Sequence, residues 1–203
     1  MDNIVEVREI TPNEIEQAAK TLFAAFENDP LMLWIFGDKR LYNEKAVAVL
    51  KTWVKYCVLY GKAFRTNNFE AIALRRKPGD THFSFWRMLR SGMVTTPSVL
   101  GKAAFKRLMQ FDELATQMKK EQGIIQHFWY CWMLGTKPAL QKQGFGKALM
   151  THTFNMAKQA KLPCYLETVS ESSKQVHLHA GYKTVAEAML PESDIKITAM
   201  LRD

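Results

Sequence analysis

The stretch Gln141-Lys142-Gln143-Gly144-Phe145-Gly146 constrains this chain more than any other. It stands between an aromatic run, Phe128 to Gly135, that reads as a strand and an apolar helical pattern running on towards Ala160. A strand, a glycine-bearing turn and a helix start in that order make an anion site. The first N–H groups of a helix have no partner inside it, and the aligned peptide dipoles add partial positive charge there. Gly144 and Gly146 carry no Cβ, so the backbone can approach a bound group closely. Several N–H bonds to a charged acceptor, each worth about 1.5–3 kcal/mol, can hold a pyrophosphate. Two other phosphate turns do not fit. A dinucleotide turn wants Gly-x-Gly-x-x-Gly, and a P-loop wants Ser or Thr where Gly146-Lys147 is followed by Ala148.

The downstream residues extend the pattern. Cys164 to Thr168 reads as a short apolar strand, Ser172 to Ala180 as a helix, and Gly181-Tyr182 as its stop before another strand. Ile195, Ile197, Ala199 and Leu201 alternate with polar neighbours and predict a closing strand. Upstream, Ile4 to Ile10 alternates as a half-buried strand. Thr11-Pro12-Asn13-Glu14 is a helix-start signal, with Thr or Asn as cap, and Ile15, Ala18, Ala19, Leu22, Phe23 and Phe26 fall on one side of the helix. Asn28-Asp29-Pro30 ends that helix and begins a short second one, and helical spacing runs from Arg40 to Tyr60. Lys62 to Thr66 and Phe69 to Leu74, parted by Asn67-Asn68, read as a hairpin. Thr81 to Glu121 repeats with helical period and predicts two or three helices inserted between the third and fourth strands.

Gln-x-x-Gly-x-Gly, preceded by Leu134-Gly135-Thr136-Lys137-Pro138, resembles the acyl-CoA-binding signature of the GNAT N-acetyltransferase superfamily. The Leu166-Glu167-Thr168 strand, the helix after it and Gly181-Tyr182 resemble the second motif of that superfamily. Within it, the Trp-Tyr strand, the Leu-Glu-Thr strand and the short closing strand look most like the puromycin N-acetyltransferase-like group. The resemblance implies a mixed α/β (α+β) fold with a largely antiparallel central sheet flanked by helices. It implies acetyl-CoA as cosubstrate, no metal, and direct transfer of the acetyl group to a primary amine, taken here as that of a small molecule. A protein or peptide amine, or a catalytically weak acyl-CoA-binding domain, are the alternatives. Pantetheine would pair with backbone of Leu134, Gly135 and Thr136, and pyrophosphate would sit on the N–H groups of Gln141, Lys142, Gln143, Gly144, Phe145, Gly146 and Lys147.

Glu167 is then the candidate base, acting through water. Family members keep an Asn early in the next helix for pantetheine and a Tyr four residues later as general acid. Here those positions hold Ser173 and His177. Ser173 can still give one hydrogen bond. An imidazolium at His177 can donate a proton, but its ordinary pKa of about 6.5 lies far below the phenol's value near 10, so an alkaline limb at about 6–7.5 is expected. Phe83, Phe85, Trp86, Met88, Met93, Phe105, Met109 and Phe111 are candidates to line the acceptor pocket.

At 203 residues the chain can bury one good core, and it reads as a single domain over 1–203 with the helical insertion at about 80–122. No apolar run is long enough to span a bilayer, and Met1-Asp2-Asn3 shows no leader, so the cytoplasm is the expected address. Cys57, Cys131 and Cys164 lie far apart, mostly in apolar runs, and read as buried free thiols rather than disulfides or zinc ligands. The net charge of +8 suits capture of an anionic cosubstrate. Its basic residues are spread along the chain and read as solvated helix faces rather than a nucleic-acid surface. A homodimer is left open.

Overall fold

A computed structural model describes residues 5–80, 83–124 and 127–203. Ile4, where the first strand is expected to begin, Met1 to Asn3, and Thr81 at the start of the insertion lie outside these residues. Strand β1 (Val7–Glu9) leads through a short 3-10 turn into helix α1 (Ile15–Ala25). Thr11 and Glu14 form a reciprocal cap there, the Thr11 N–H donating to the Glu14 carboxylate at 2.9 Å. Asp29 caps α2 (Pro30–Phe36) by accepting from the Met32 N–H, and Asp38 caps α3 (Lys39–Tyr60) through the Leu41 N–H. The hairpin is β2 (Lys62–Thr66) and β3 (Ala71–Arg76). Its second strand starts two residues later than the alternation suggests, because the Glu70 carboxylate folds back onto the Asn68 N–H and the Thr66 hydroxyl.

The insertion is helical as expected. It holds α4 (Phe85–Ser91), a 3-10 turn, α5 (Thr96–Leu100) and α6 (Lys102–Glu121). Buried Asp80 anchors its start, accepting from Tyr56, Arg76 and Arg87. Then come β4 (Trp129–Thr136), α7 (Phe145–Ala160), β5 (Cys164–Thr168), α8 (Glu171–His179), β6 (Lys183–Met189) and β7 (Lys196–Arg202). The seven strands form one sheet in the order β1-β2-β3-β4-β5-β7-β6. All pairs are antiparallel except β4–β5. This is the mixed α/β architecture, a largely antiparallel sheet with flanking helices, that the sequence implies. Among the described residues no helix is long and apolar enough to cross a membrane.

The parallel pair positions the site. β4 and β5 are joined only at Trp129–Cys164 and Tyr130–Tyr165, and beyond these residues the strands part. A bulge in β4 contributes to the parting. Arg75 faces Cys131 while Leu74 faces Met133, so Trp132 is an extra residue on that strand, and a bulge bends the strand that carries it. Fully buried Arg75 ties the bulge by donating to the Met133 carbonyl at 2.9 Å and to the Thr153 hydroxyl of α7 at 2.9 Å.

Candidate active site

The parted strands open onto a cavity of about 590 Å3 that passes through the sheet. Its walls come from both faces: Tyr130 and Trp132 from one, Cys131, Phe154 and Tyr182 from the other. Seven of the eight aromatic and methionine candidates of the insertion line it, namely Phe83, Phe85, Met88, Met93, Phe105, Met109 and Phe111. Trp86 does not. It points to solvent and is 70 % exposed, because neighbouring residues on a helix face different directions.

The turn before α7 has the geometry of an anion cradle. Gly144 (φ +89°) and Lys142 (φ +63°) both adopt the left-handed conformation, and α7 has no side-chain cap. The N–H groups of Lys142, Gln143, Gly144, Phe145, Gly146 and Lys147 donate to no protein acceptor among the described residues, and the ladder starts with Ala148 on Gly144. Side chains there are mostly exposed. Gln141 folds back, its amide meeting the Thr136 carbonyl at 3.5 Å, and Gln143 reaches the Ala139 carbonyl at 3.4 Å. Gln143 therefore presents only its backbone to a ligand, whereas the Gln141 N–H, expected in the cradle, already donates to the Pro138 carbonyl at 3.3 Å and is not part of it.

Leu134 lines the cavity, while Gly135 and Thr136 continue β4 towards the turn. Leu134, Gly135 and Thr136 pair with Ala73, Ile72 and Ala71 of β3 on one edge; among the described residues their other edge has no strand beside it. Gly135 has a second duty that its motif does not reveal. A Cβ there would lie 2.8 Å from both Ala25 Cβ and Phe26, so α1 can pack on β4 only over a bare glycine.

Glu167 lies on the cavity wall with both oxygens engaged. Lys119 of α6 donates at 2.9 Å to one oxygen and the Tyr130 hydroxyl at 2.6 Å to the other. Burial and the adjacent Glu167 carboxylate push the Tyr130 phenol well above its ordinary range, so it remains a donor. Asp112 of α6 and Asp29 add two more carboxyl groups to the wall, each raised chiefly by burial.

Ser173 and His177 of α8 also line the cavity. The Ser173 hydroxyl takes a hydrogen bond from Ser170, the cap of α8, at 2.9 Å. His177 packs edge-on against Tyr182 with ring centres 5.5 Å apart, and its Nδ1 is buried without a partner. Burial first, and then the Arg75 guanidinium, lower its pKa to about 4. The neutral imidazole is thereby favoured at neutral pH.

Sequence reasoning missed Arg75, Asp112, Lys119, Tyr130 and Cys131 as wall or partner residues. Each looked like an ordinary strand or helix residue, and the contacts that distinguish them join positions tens of residues apart. Among the described residues no group of three His, Cys, Asp or Glu side chains is placed to hold a metal ion.

Comparison with known proteins agrees with this geometry. The acetyltransferase (GNAT) family model matches residues 94–182. An uncharacterised N-acetyltransferase of Schizosaccharomyces pombe is 24% identical over 185 residues, 86% of this chain and 73% of the relative. Among solved structures, a Corynebacterium glutamicum protein described as histone acetyltransferase HPA2 and related acetyltransferase superposes with a TM-score of 0.71 at 20% identity, over 98% of this chain and 95% of that one. A polyamine N-acetyltransferase of Drosophila melanogaster gives a TM-score of 0.64 at 14% identity, over 97% and 98% of the two chains. Over residues 94–182 the chain is thus similar to the GNAT acetyltransferase family, and it shares the fold of these acetyltransferase structures.

Proposed function

We propose that this protein is an acetyl-CoA-dependent N-acetyltransferase that passes the acetyl group directly to the primary amine of a small molecule with an apolar body. The observation that carries the reading is the unpaired edge of β4 running from a row of free N–H groups at α7 into the cavity. A pyrophosphate on those N–H groups would let pantetheine lie along Leu134 to Thr136, as an added strand does. The thioester would then reach the parting of the strands. A backbone N–H near Leu134 would stabilise the oxyanion as the amine attacks.

The acceptor side favours an amine with an apolar body. Aromatic and methionine side chains would hold that body, and Asp29, Asp112 and Glu167 would attract its ammonium group. Glu167, held by Lys119 and Tyr130, would take the proton through water before attack. Neutral His177 is assigned to hydrogen bonding in the cavity, with Ser173 as a second contact to pantetheine, and solvent supplies the proton to the departing thiolate. The Drosophila enzyme forms N-acetylagmatine, which shows a small amine as acceptor on this fold. The likeness to the puromycin N-acetyltransferase-like group rests on Trp129-Tyr130 and Leu166-Glu167-Thr168 and names no acceptor. We take residues 1–203 as one acyltransferase unit, with the insertion forming the acceptor wall.

Thiol release from acetyl-CoA with a panel of aryl-alkyl, aliphatic and peptide amines tests the reading. Turnover with small apolar amines is expected. A thermal shift at millimolar acetyl-CoA without turnover on any amine would favour the binding-only alternative, which the loss of Tyr and Asn at 177 and 173 suggests. No shift at all in a folded sample would refute both.

A further inference from the structure

Arg75 is 1 % exposed and has no carboxylate partner among the described residues. A buried guanidinium with no counter-charge is costly, so the groups facing it are informative. Its direct cross-strand partner is Cys131, on the same face of the sheet and on the cavity wall. The Cys131 sulfur lies 3.3 Å from the Tyr182 hydroxyl. Cys164 of β5 belongs to the buried cluster against which Cys131 packs. Three groups are thus set against Cys131: Arg75 of β3, Cys164 of β5, and Tyr182 just before β6, on which His177 packs. None is a carboxylate. No other thiol has such a setting. Cys57 is buried among apolar side chains, where burial raises its pKa to about 12.

We propose that Cys131 is a thiolate modification site that small aliphatic disulfides entering the cavity capture reversibly as mixed disulfides. The Cys131 thiolate attacks one sulfur of the disulfide, the S–S bond breaks, and the other sulfur leaves as a thiolate. No further oxidant is needed. The neighbouring Cys164 thiol first, then the Arg75 charge and the Tyr182 hydroxyl, hold the Cys131 thiol below its usual range against the effect of burial and favour the nucleophilic form. Cys131 rather than Cys164 is the site because Cys131 alone of the two lines the cavity and faces Tyr182 and Arg75. An adduct would fill the parting of β4 and β5 and close the site to acetyl-CoA. That consequence, and the choice of coenzyme A disulfide as one source, rest on the function proposed above; the thiolate itself does not.

The test is mass mapping of the protein at neutral pH after exposure to cystamine or to coenzyme A disulfide, with iodoacetamide rates measured against pH. A reducible adduct is expected on Cys131, formed at least about tenfold faster than on Cys57 or Cys164. Its iodoacetamide rate should reach half-maximum well below the ordinary thiol value of about 8.5. Tyr182→Phe, which keeps the ring, should slow alkylation at neutral pH by about threefold or more and move the midpoint upward. Faster labelling by coenzyme A disulfide than by cystamine assigns the cosubstrate's own disulfide as source, and equal rates assign small disulfides generally. No adduct with either reagent, equal labelling of the three cysteines, or a midpoint at or above 8.5 overturns the proposal. If cystamine labels Cys131 while acetyl-CoA gives no thermal shift, the transfer reading fails and this one stands.

Discussion

Lowering the pH should destabilise the protein through His177, by an amount that follows from its surroundings. Burial and the Arg75 charge lower its folded pKa from 6.5 to about 4. Because the folded value is the lower one, the unfolded chain binds the proton first, and stability falls as pH drops from 6.5 towards 4. Those two values give a loss of about 2 kcal/mol between pH 7 and pH 5, and about 3 kcal/mol by pH 4. For a chain of this length 2 kcal/mol is roughly 4–8 °C of Tm. Carboxylates titrate over the same range, so the measurement is a difference. Wild type and His177→Gln are unfolded with urea at pH 7, 6 and 5. The variant should gain about 2 kcal/mol relative to wild type across that interval. A difference that does not change with pH would refute the reasoning, as would an imidazole NMR titration with its midpoint above 6.

Three substitutions probe the rest of the site. Gly135→Ala should cost about 1–3 kcal/mol in urea unfolding, since its Cβ would lie 2.8 Å from Ala25 and Phe26; an unchanged midpoint would show that α1 shifts freely. Gly146→Val should leave stability within about 1 kcal/mol, because its Cβ would meet only the Thr136 hydroxyl at 3.4 Å, yet weaken acetyl-CoA binding about tenfold to a hundredfold by calorimetry. Unaltered affinity would make the turn purely structural. Glu167→Gln should lower turnover about a hundredfold or more while leaving the acetyl-CoA thermal shift in place, and wild-type turnover would remove Glu167 from proton transfer.

The parts that were legible in the chain are those set by local physics. The cap at Thr11 and Glu14, the starts of α2 and α7, and the strand–helix alternation after β4 all follow from neighbouring residues. Seven insertion residues reached the cavity because helical periodicity groups them, and Trp86 failed because periodicity alone does not say which side faces the core. The electrostatics were not legible. Glu167 meets Lys119 and Tyr130 only after the sheet has formed, and no local pattern signals that Arg75 faces Cys131. Whether His177 carries charge is likewise decided by burial contributed from other elements.

The two-residue junction between β4 and β5 also has a mechanical consequence. Trp129–Cys164 and Tyr130–Tyr165 are the whole hydrogen-bonded weld between one half-sheet, β1 to β4, and the other, β5-β7-β6. A weld that short yields before either half does, so amides bordering it should exchange with solvent at a lower opening energy than those of β3 or β7. A ligand lying along the free edge of β4 would brace the weld. Its affinity would then appear partly as slower exchange in strands it never touches.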